Sequence, residues 1–200
     1  MTRFLNVSTR KIAILASGGG SNARKIIEHF RNSDAASVVL IAANKADCGA
    51  LTIANEFGIK TLVITRENFR DSDTFRNKLV DLEIDLVVLA GFLWRIPSNI
   101  VESFNGKIVN IHPALLPKYG GKGMYGMNVH RAVKEALETV SGMTIHFVNE
   151  NYDEGNVIFQ ASVELDSMDT AEDIAAKVLK LEHHHYPAII EQVILDQVHA

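Results

Sequence analysis

A single doubly wound α/β domain with a mostly parallel sheet is what three features of the sequence predict. Short β-branched apolar segments alternate with helix-patterned segments along the chain, and the first of them runs through three glycines straight into a helical pattern. No internal repeat, low-complexity linker or coiled-coil heptad divides the 200 residues. Alternation of this kind places crossover helices on both faces of a parallel sheet, whose strands then read as continuous apolar runs. Hydrophobic residues make up 47% of the chain, ample for one core of this size.

Residues 1–10 read as a short tail, and residues 11–17 (KIAILAS) as a strand buried on both faces. Gly18, Gly19 and Gly20 lead through Ser21 and Asn22 into a helix over 23–31. Strand, glycine loop and helix together aim free backbone N–H groups at an anion. The GGGSN loop is neither the GxGxxG fingerprint nor a P-loop with its Lys-Ser/Thr, which favours a single phosphate over a nucleotide tail. The same residues also suit a tight turn capped by Ser21.

A second strand is expected over 37–44, a helix over 49–57 ending before Gly58, and a third strand over 60–65. A charged amphipathic helix follows over 69–82, then a fourth buried strand over 86–91. At its end stand Phe92, Leu93, Trp94, Arg95 and Ile96, before a short helix over 98–103. Ligands in open α/β sheets sit beyond the carboxyl ends of strands, so this cluster suits either the wall of a pocket for a flat ligand or the packing of the next helix.

The stretch 108–121 (IVNIHPALLPKYGG) concentrates the chemistry. Pro113 biases His112 to extended geometry, so the strand should persist through the histidine and project Asn110 and His112 together. An amide donor beside an imidazole suits acyl-group chemistry; two satisfied polar residues at a strand end is the other reading. Residues 122–126 are too glycine-rich for a helix, which is expected over 128–137 instead. Strands over 142–148 and 157–164 flank an acidic turn at 149–155, where Asp153 is either a turn residue or an orienter of His112. A final helix over 170–197 starts at a Thr170/Asp173 capping box and should kink or break at Pro187. His183, His184 and His185 are consecutive, so on a helix they splay by about 100° each and do not suit one metal.

Net charge is −4 with no long basic block, against general nucleic-acid binding. The single cysteine, Cys48, excludes an internal disulfide and a cysteine-rich zinc site and fits a reducing compartment. The longest apolar run, 86–94, is too short to span a membrane as a helix, and the N-terminus lacks a signal-peptide core, so a cytoplasmic protein is expected.

Five motifs, ILASGGGSN, VVLAGF, NIHPALLPKYGG, HFVNENYDEGNVIFQ and LEHHHYP, fall in order over residues 11–190. In them the chain resembles the folate-dependent phosphoribosylglycinamide (GAR) formyltransferases of purine synthesis. NIHPxLLP is shared with other formyltetrahydrofolate enzymes, whereas the glycine loop with Ser21-Asn22 and the compact length select the glycinamide member. The resemblance implies a Rossmann-like formyltransferase fold, with a domain over 11–200. It implies that Gly20, Ser21 and Asn22 hold the ribose phosphate of glycinamide ribonucleotide and that Glu182 meets its glycinamide end. The pterin of 10-formyltetrahydrofolate, a co-substrate, would lie against Leu93, Trp94, Arg95 and Ile96, beside Asn110 and the loop from Asn149 to Asp153.

Asn110, His112 and Asp153 match the family's catalytic trio. The implied mechanism is direct attack of a neutral amine on the formyl carbon, Asn110 and protonated His112 stabilising the oxyanion and Asp153 orienting the imidazole through a water. One such donor is worth about 2.7–4 kcal/mol in comparable sites. No metal is called for, the partners are small molecules with neither nucleic acid nor membrane, and a monomer or homodimer is expected. The chain departs from the family's usual pattern in its longer GKGMYGMNVH segment, in its Leu93-Trp94-Arg95-Ile96 wall, and in the folate-side arginine, for which Arg70 is the candidate. The alternatives are a deformylase or another formyltransferase, whose extra domains do not fit 200 residues, and a non-catalytic phosphate- or folate-binding module.

Overall fold

Seven strands form one sheet in the order β3-β2-β1-β4-β5-β6-β7. The computed structural model describes residues 9–70, 73–151 and 153–198. Most of the expected tail, positions 71–72 of the expected 69–82 helix, and position 152 of the acidic turn lie outside those residues. The elements are β1 (Arg10–Ala16), α1 (Ser21–Phe30), β2 (Ala36–Ala43), α2 (Gly49–Glu56), β3 (Lys60–Val63), α3 (Arg66–Arg70), α4 (Thr74–Asp81), β4 (Leu86–Leu89), α5 (Ser98–Ser103), β5 (Ile108–His112), α6 (Met127–Glu135), β6 (Val140–Phe147), β7 (Val157–Glu164) and α7 (Ala171–Val198). Strands β1 to β5 pair in parallel, whereas β6 and β7 add antiparallel.

Alternation along the central strands explains why they are apolar throughout. Ile12, Ile14 and Ala16 of β1 and Leu86 and Val88 of β4 enter one core with α1, α2 and α7. Ala13, Leu15, Val87 and Leu89 enter the opposite core with Phe69, Phe75, Leu79 and Ile100. Successive side chains point to opposite faces, so a strand covered on both sides has no position left for a polar residue. The chain winds from β1 to β3 in one direction and then crosses to β4 on the other side of β1. That reversal opens a crevice beyond the carboxyl ends of β1 and β4.

One expected helix is divided, and the last helix runs unbroken through its proline. The single helix expected over 69–82 is two, α3 and α4. A helix continued from Phe69 would bury positions 72, 73 and 76, which are Ser, Asp and Arg, whereas the buried residues of α4 are Phe75 and Leu79. Thr65 and Asn68 exchange reciprocal bonds that start α3 separately, the Thr65 N–H to Asn68 Oδ1 at 2.9 Å and the Asn68 N–H to Thr65 Oγ1 at 3.3 Å. Helix α7 does not break at Pro187. Tyr186, fully buried one residue earlier, donates from its hydroxyl toward Leu89 O (3.0 Å) and Val109 O (3.2 Å), tying the helix to β4 and β5 at the point where proline removes a donor. The capping box holds, with the Thr170 N–H on Asp173 Oδ2 at 2.9 Å and the Asp173 N–H on Thr170 Oγ1 at 3.1 Å. No described helix is long and apolar enough to cross a membrane.

Tyr186→Phe removes this buried donor while keeping the ring, and is expected to lower stability by about 1–3 kcal/mol. Urea denaturation checks it: the midpoint should fall with an unchanged slope.

Candidate active site

The crevice is a cavity of about 520 Å³ that crosses the sheet edge. On one side it is bounded by Asn22 of α1 and Glu182 of α7; on the other by residues 91–96 and by Val148, Asn149 and Asn151. Asn110 and His112 line its floor, and residues 121–127 its rim.

Strand β5 runs through His112, as the following proline dictates. Its antiparallel partner β6 places His146 opposite Asn110 and Thr144 opposite His112. Opposed residues share a face, so the amide, two imidazoles and a hydroxyl converge. His146 Nδ1 lies 2.8 Å from the Phe147 carbonyl, which only accepts, so Nδ1 carries the proton. Its Nε2 therefore accepts from Asn110 Nδ2 at 3.1 Å, and one amide hydrogen of Asn110 remains for a ligand. His112 Nε2 donates in the same way to Tyr119 O at 2.8 Å, leaving Nδ1 as the nitrogen free to handle a proton.

Asp153 lies between the imidazoles. Its Oδ2 is 3.6 Å from His112 Nδ1 and its Oδ1 3.7 Å from His146 Nε2, both beyond hydrogen-bond distance. Oδ2 accepts the Gly121 N–H at 2.9 Å, which ties the glycine-rich rim to the acid. Asp153 occupies left-handed backbone geometry (φ 54°), and a Cβ on Gly155 would meet Phe147 O at 1.7 Å, so the turn folds back over β6 only with glycine there. Thr144 Oγ1 donates to Ala114 O (2.7 Å) and accepts the Leu116 N–H (3.0 Å), while Gln160 Nε2 donates to Leu116 O (3.0 Å). These bonds hold the loop after His112, in which the Leu116-Pro117 peptide is cis.

The glycine loop is tighter than a capped turn requires. Gly20, not Ser21, is the N-cap of α1, with φ 81° and no side-chain cap. A Cβ on Gly20 would lie 2.6 Å from Ala50 Cα, and one on Gly49 2.7 Å from Gly19 O, so the loop is pressed onto the start of α2. Ser21 capping is thereby corrected: Ser21 is the first helical residue, because only glycine fits both the left-handed geometry and the contact. The uncapped first turn of α1 leaves backbone N–H groups for an anion beside Asn22. Asn22 lines the cavity, whereas Gly20 and Ser21 do not.

Asn22 Nδ2 donates to Glu182 Oε2 at 2.6 Å, and Asn22 Oδ1 is buried with no protein partner. Burial pushes the Glu182 carboxyl up, partly opposed by the Asn22 bond. The aromatic cluster is both wall and packing: Phe92 and Trp94 line the cavity while meeting Phe69 edge-on and tilted, at 5.4 and 5.7 Å between ring centres. Arg95 bonds Glu150 O, closing the wall against the 149–153 loop, and Asn149 lines the cavity beside it. Arg70 ends α3 and does not line the cavity; among the described residues the lysine and arginine that do are Lys122 and Arg95.

His146 and His130 escaped the sequence reading. Both are buried, and burial pushes both imidazoles down, His112 adding to the effect on each. His130 lines the cavity with Nδ1 unpartnered. The alternation of Thr144 and His146 with apolar residues in β6 was the available signal for His146. The consecutive histidines of α7 reach different neighbours: His185 stacks on Phe159, while His183 Nε2 is buried unpartnered.

Similarity to known proteins agrees with this geometry. The formyl transferase family profile matches residues 10–190. The chain is 43% identical to a chloroplastic phosphoribosylglycinamide formyltransferase of Arabidopsis thaliana, over 94% of this chain and 67% of that one. It spans 64% of a second chloroplastic relative, from Vigna unguiculata. Identity to the phosphoribosylglycinamide formyltransferase of Haemophilus influenzae is 36%, over 91% of this chain and 86% of the other. Two solved structures superpose well: phosphoribosylglycinamide formyltransferase from Anaplasma phagocytophilum (TM-score 0.85, 33% identity, covering 93% and 87%) and glycinamide ribonucleotide transformylase 1 from Symbiobacterium toebii (TM-score 0.88, 29% identity, covering 98% and 92%).

Glu182→Gln should stabilise the ligand-free protein at neutral pH. A raised carboxyl means the folded state holds its proton more tightly than the unfolded one, so the parent loses stability as pH rises above the ordinary glutamate range. Thermal melting should show no difference between variant and parent near pH 4 and a gain for the variant that grows toward pH 7.

Proposed function

The chain belongs to the formyl transferase family, and on that premise we propose that it transfers the formyl group of 10-formyltetrahydrofolate to the primary amine of N1-(5-phosphoribosyl)glycinamide in de novo purine synthesis. The observation that carries this is one continuous cavity. It joins Asn22, beside the uncapped start of α1, and Glu182, suited to a phosphate and an amine, to an aromatic wall suited to a pterin, with Asn110 and His112 between them.

The amine nitrogen attacks the formyl carbon directly, and the carbonyl oxygen becomes the oxyanion. The second amide hydrogen of Asn110, left over from its bond to His146, meets that oxygen. His112 contributes from Nδ1, since Nε2 is committed to Tyr119 O. Asp153 faces the positive charge that the imidazolium carries during this step. A water between Asp153 and the reacting atoms takes the proton from the amine and delivers it to the folate nitrogen as the carbon–nitrogen bond breaks. Holding both substrates in one cavity supplies the proximity. Gly20, Ser21 and Asn22 bind the phosphate; Leu93, Trp94, Arg95, Ile96, Asn110, Asn149 and Asp153 bind the folate.

The proposal uses no metal, and its partners are small molecules alone, with no nucleic acid and no membrane. We place the protein in the cytoplasm as a monomer or homodimer, the formyltransferase domain running from residue 11.

Absorbance during folate deformylation tests the proposal: product should form only when glycinamide ribonucleotide is present. Product without the amine would identify a deformylase, and binding without product a non-catalytic module. Asn110→Ala is expected to lower kcat about 10²–10³-fold, and His112→Ala about 10²–10⁴-fold, with folate binding retained.

A further inference from the structure

We propose that the hydrogen bond between Tyr119 and Glu138 is a positioning contact that sets the orientation of His112 from outside the substrate cavity. The proposal rests on the role given to His112 above. The Tyr119 hydroxyl donates to Glu138 Oε1 at 2.9 Å, and Lys118 Nζ reaches the same oxygen at 2.8 Å. The backbone oxygen of Tyr119 accepts the His112 Nε2–H at 2.8 Å. One residue therefore bonds the imidazole through its main chain and a distant carboxylate through its side chain.

Three further observations make this more than a surface contact. Tyr119 occupies left-handed geometry (φ 57°), which a side-chain-bearing residue keeps only when its surroundings hold it. Its ring packs on the core at one side, but on another it borders a second cavity of about 260 Å³ lined by Leu115, Val133, Val140 and Ser141, where Ser141 Oγ is buried without a partner. Close packing therefore does not fix the ring from that side, and the bond to Glu138 does. Finally, residues 119 and 138 are the two ends of the excursion that carries the cavity rim and α6, so their bond closes its base. Burial, then the Glu138 carboxylate, push the phenol up, so it remains a donor at neutral pH.

Histidine-selective ¹⁵N NMR on the ligand-free full chain, combined with steady-state kinetics, tests this. In the parent, His112 should show its proton on Nε2, and in Tyr119→Phe and Glu138→Ala a mixture of the two tautomers. Each variant should lose about tenfold in kcat with both KM values within about twofold. The double variant should be no worse than either single one, and Glu138→Gln, which keeps an acceptor for the phenol, should retain most activity. Unchanged His112 resonances in the single variants would overturn the proposal, as would losses that multiply in the double variant. Absence of formyl transfer by the parent would count against the proposed function instead, and the NMR comparison would still decide the positioning role.

Discussion

The antiparallel pairing of β5 with β6 is the constraint on which the site depends. Strands β1 to β5 are parallel, and α6 stands between β5 and β6, yet β6 does not continue the parallel order. Antiparallel addition of β6 instead sets His146 directly opposite Asn110 and Thr144 opposite His112. The pairing thereby fixes which amide hydrogen of Asn110 is consumed and holds the loop after His112 through Thr144. A one-residue slip of β6 would turn Thr144 and His146 to the other face, away from Asn110 and His112.

The site is assembled at a cost to the fold. Glu182 is a buried carboxyl with Asn22 for a partner, and His130 and His146 are imidazoles whose charged form burial disfavours. Asn22 Oδ1 and His130 Nδ1 are buried without protein partners, and Asp153 and Tyr119 are held in left-handed geometry. Each would be disfavoured in a core optimised for stability alone. For the two histidines, lowered values mean that stability is present above the ordinary histidine range and is lost as pH falls through it.

Much of this was legible in the sequence because it is local. The β-branched run ending at His112-Pro113 dictates an extended histidine, and the alternation of central strands dictates two cores. The capping box of α7 needs only Thr170 and Asp173. What escaped is tertiary. Nothing near His146 states that it faces Asn110, since register is set by strand pairing. Pro187 suggested a kink or a break, and of the two the break does not occur, the buried hydroxyl of Tyr186 anchoring the helix there. The division of 69–82 was legible in principle, because the six-residue step from Phe69 to Phe75 fits no single helical stripe. Capping by Ser21 failed because the contact of Gly20 with Ala50 lies across two βα units.

The most direct measurement is a crystal structure of the protein with glycinamide ribonucleotide and a folate analogue whose carbonyl cannot be transferred. The account requires the analogue's carbonyl oxygen to lie about 2.7–3.1 Å from Asn110 Nδ2, facing His112 Nδ1, with the phosphate on the first turn of α1 and the amine beside Glu182. A carbonyl oxygen directed away from β5, or a phosphate bound away from α1, would contradict it.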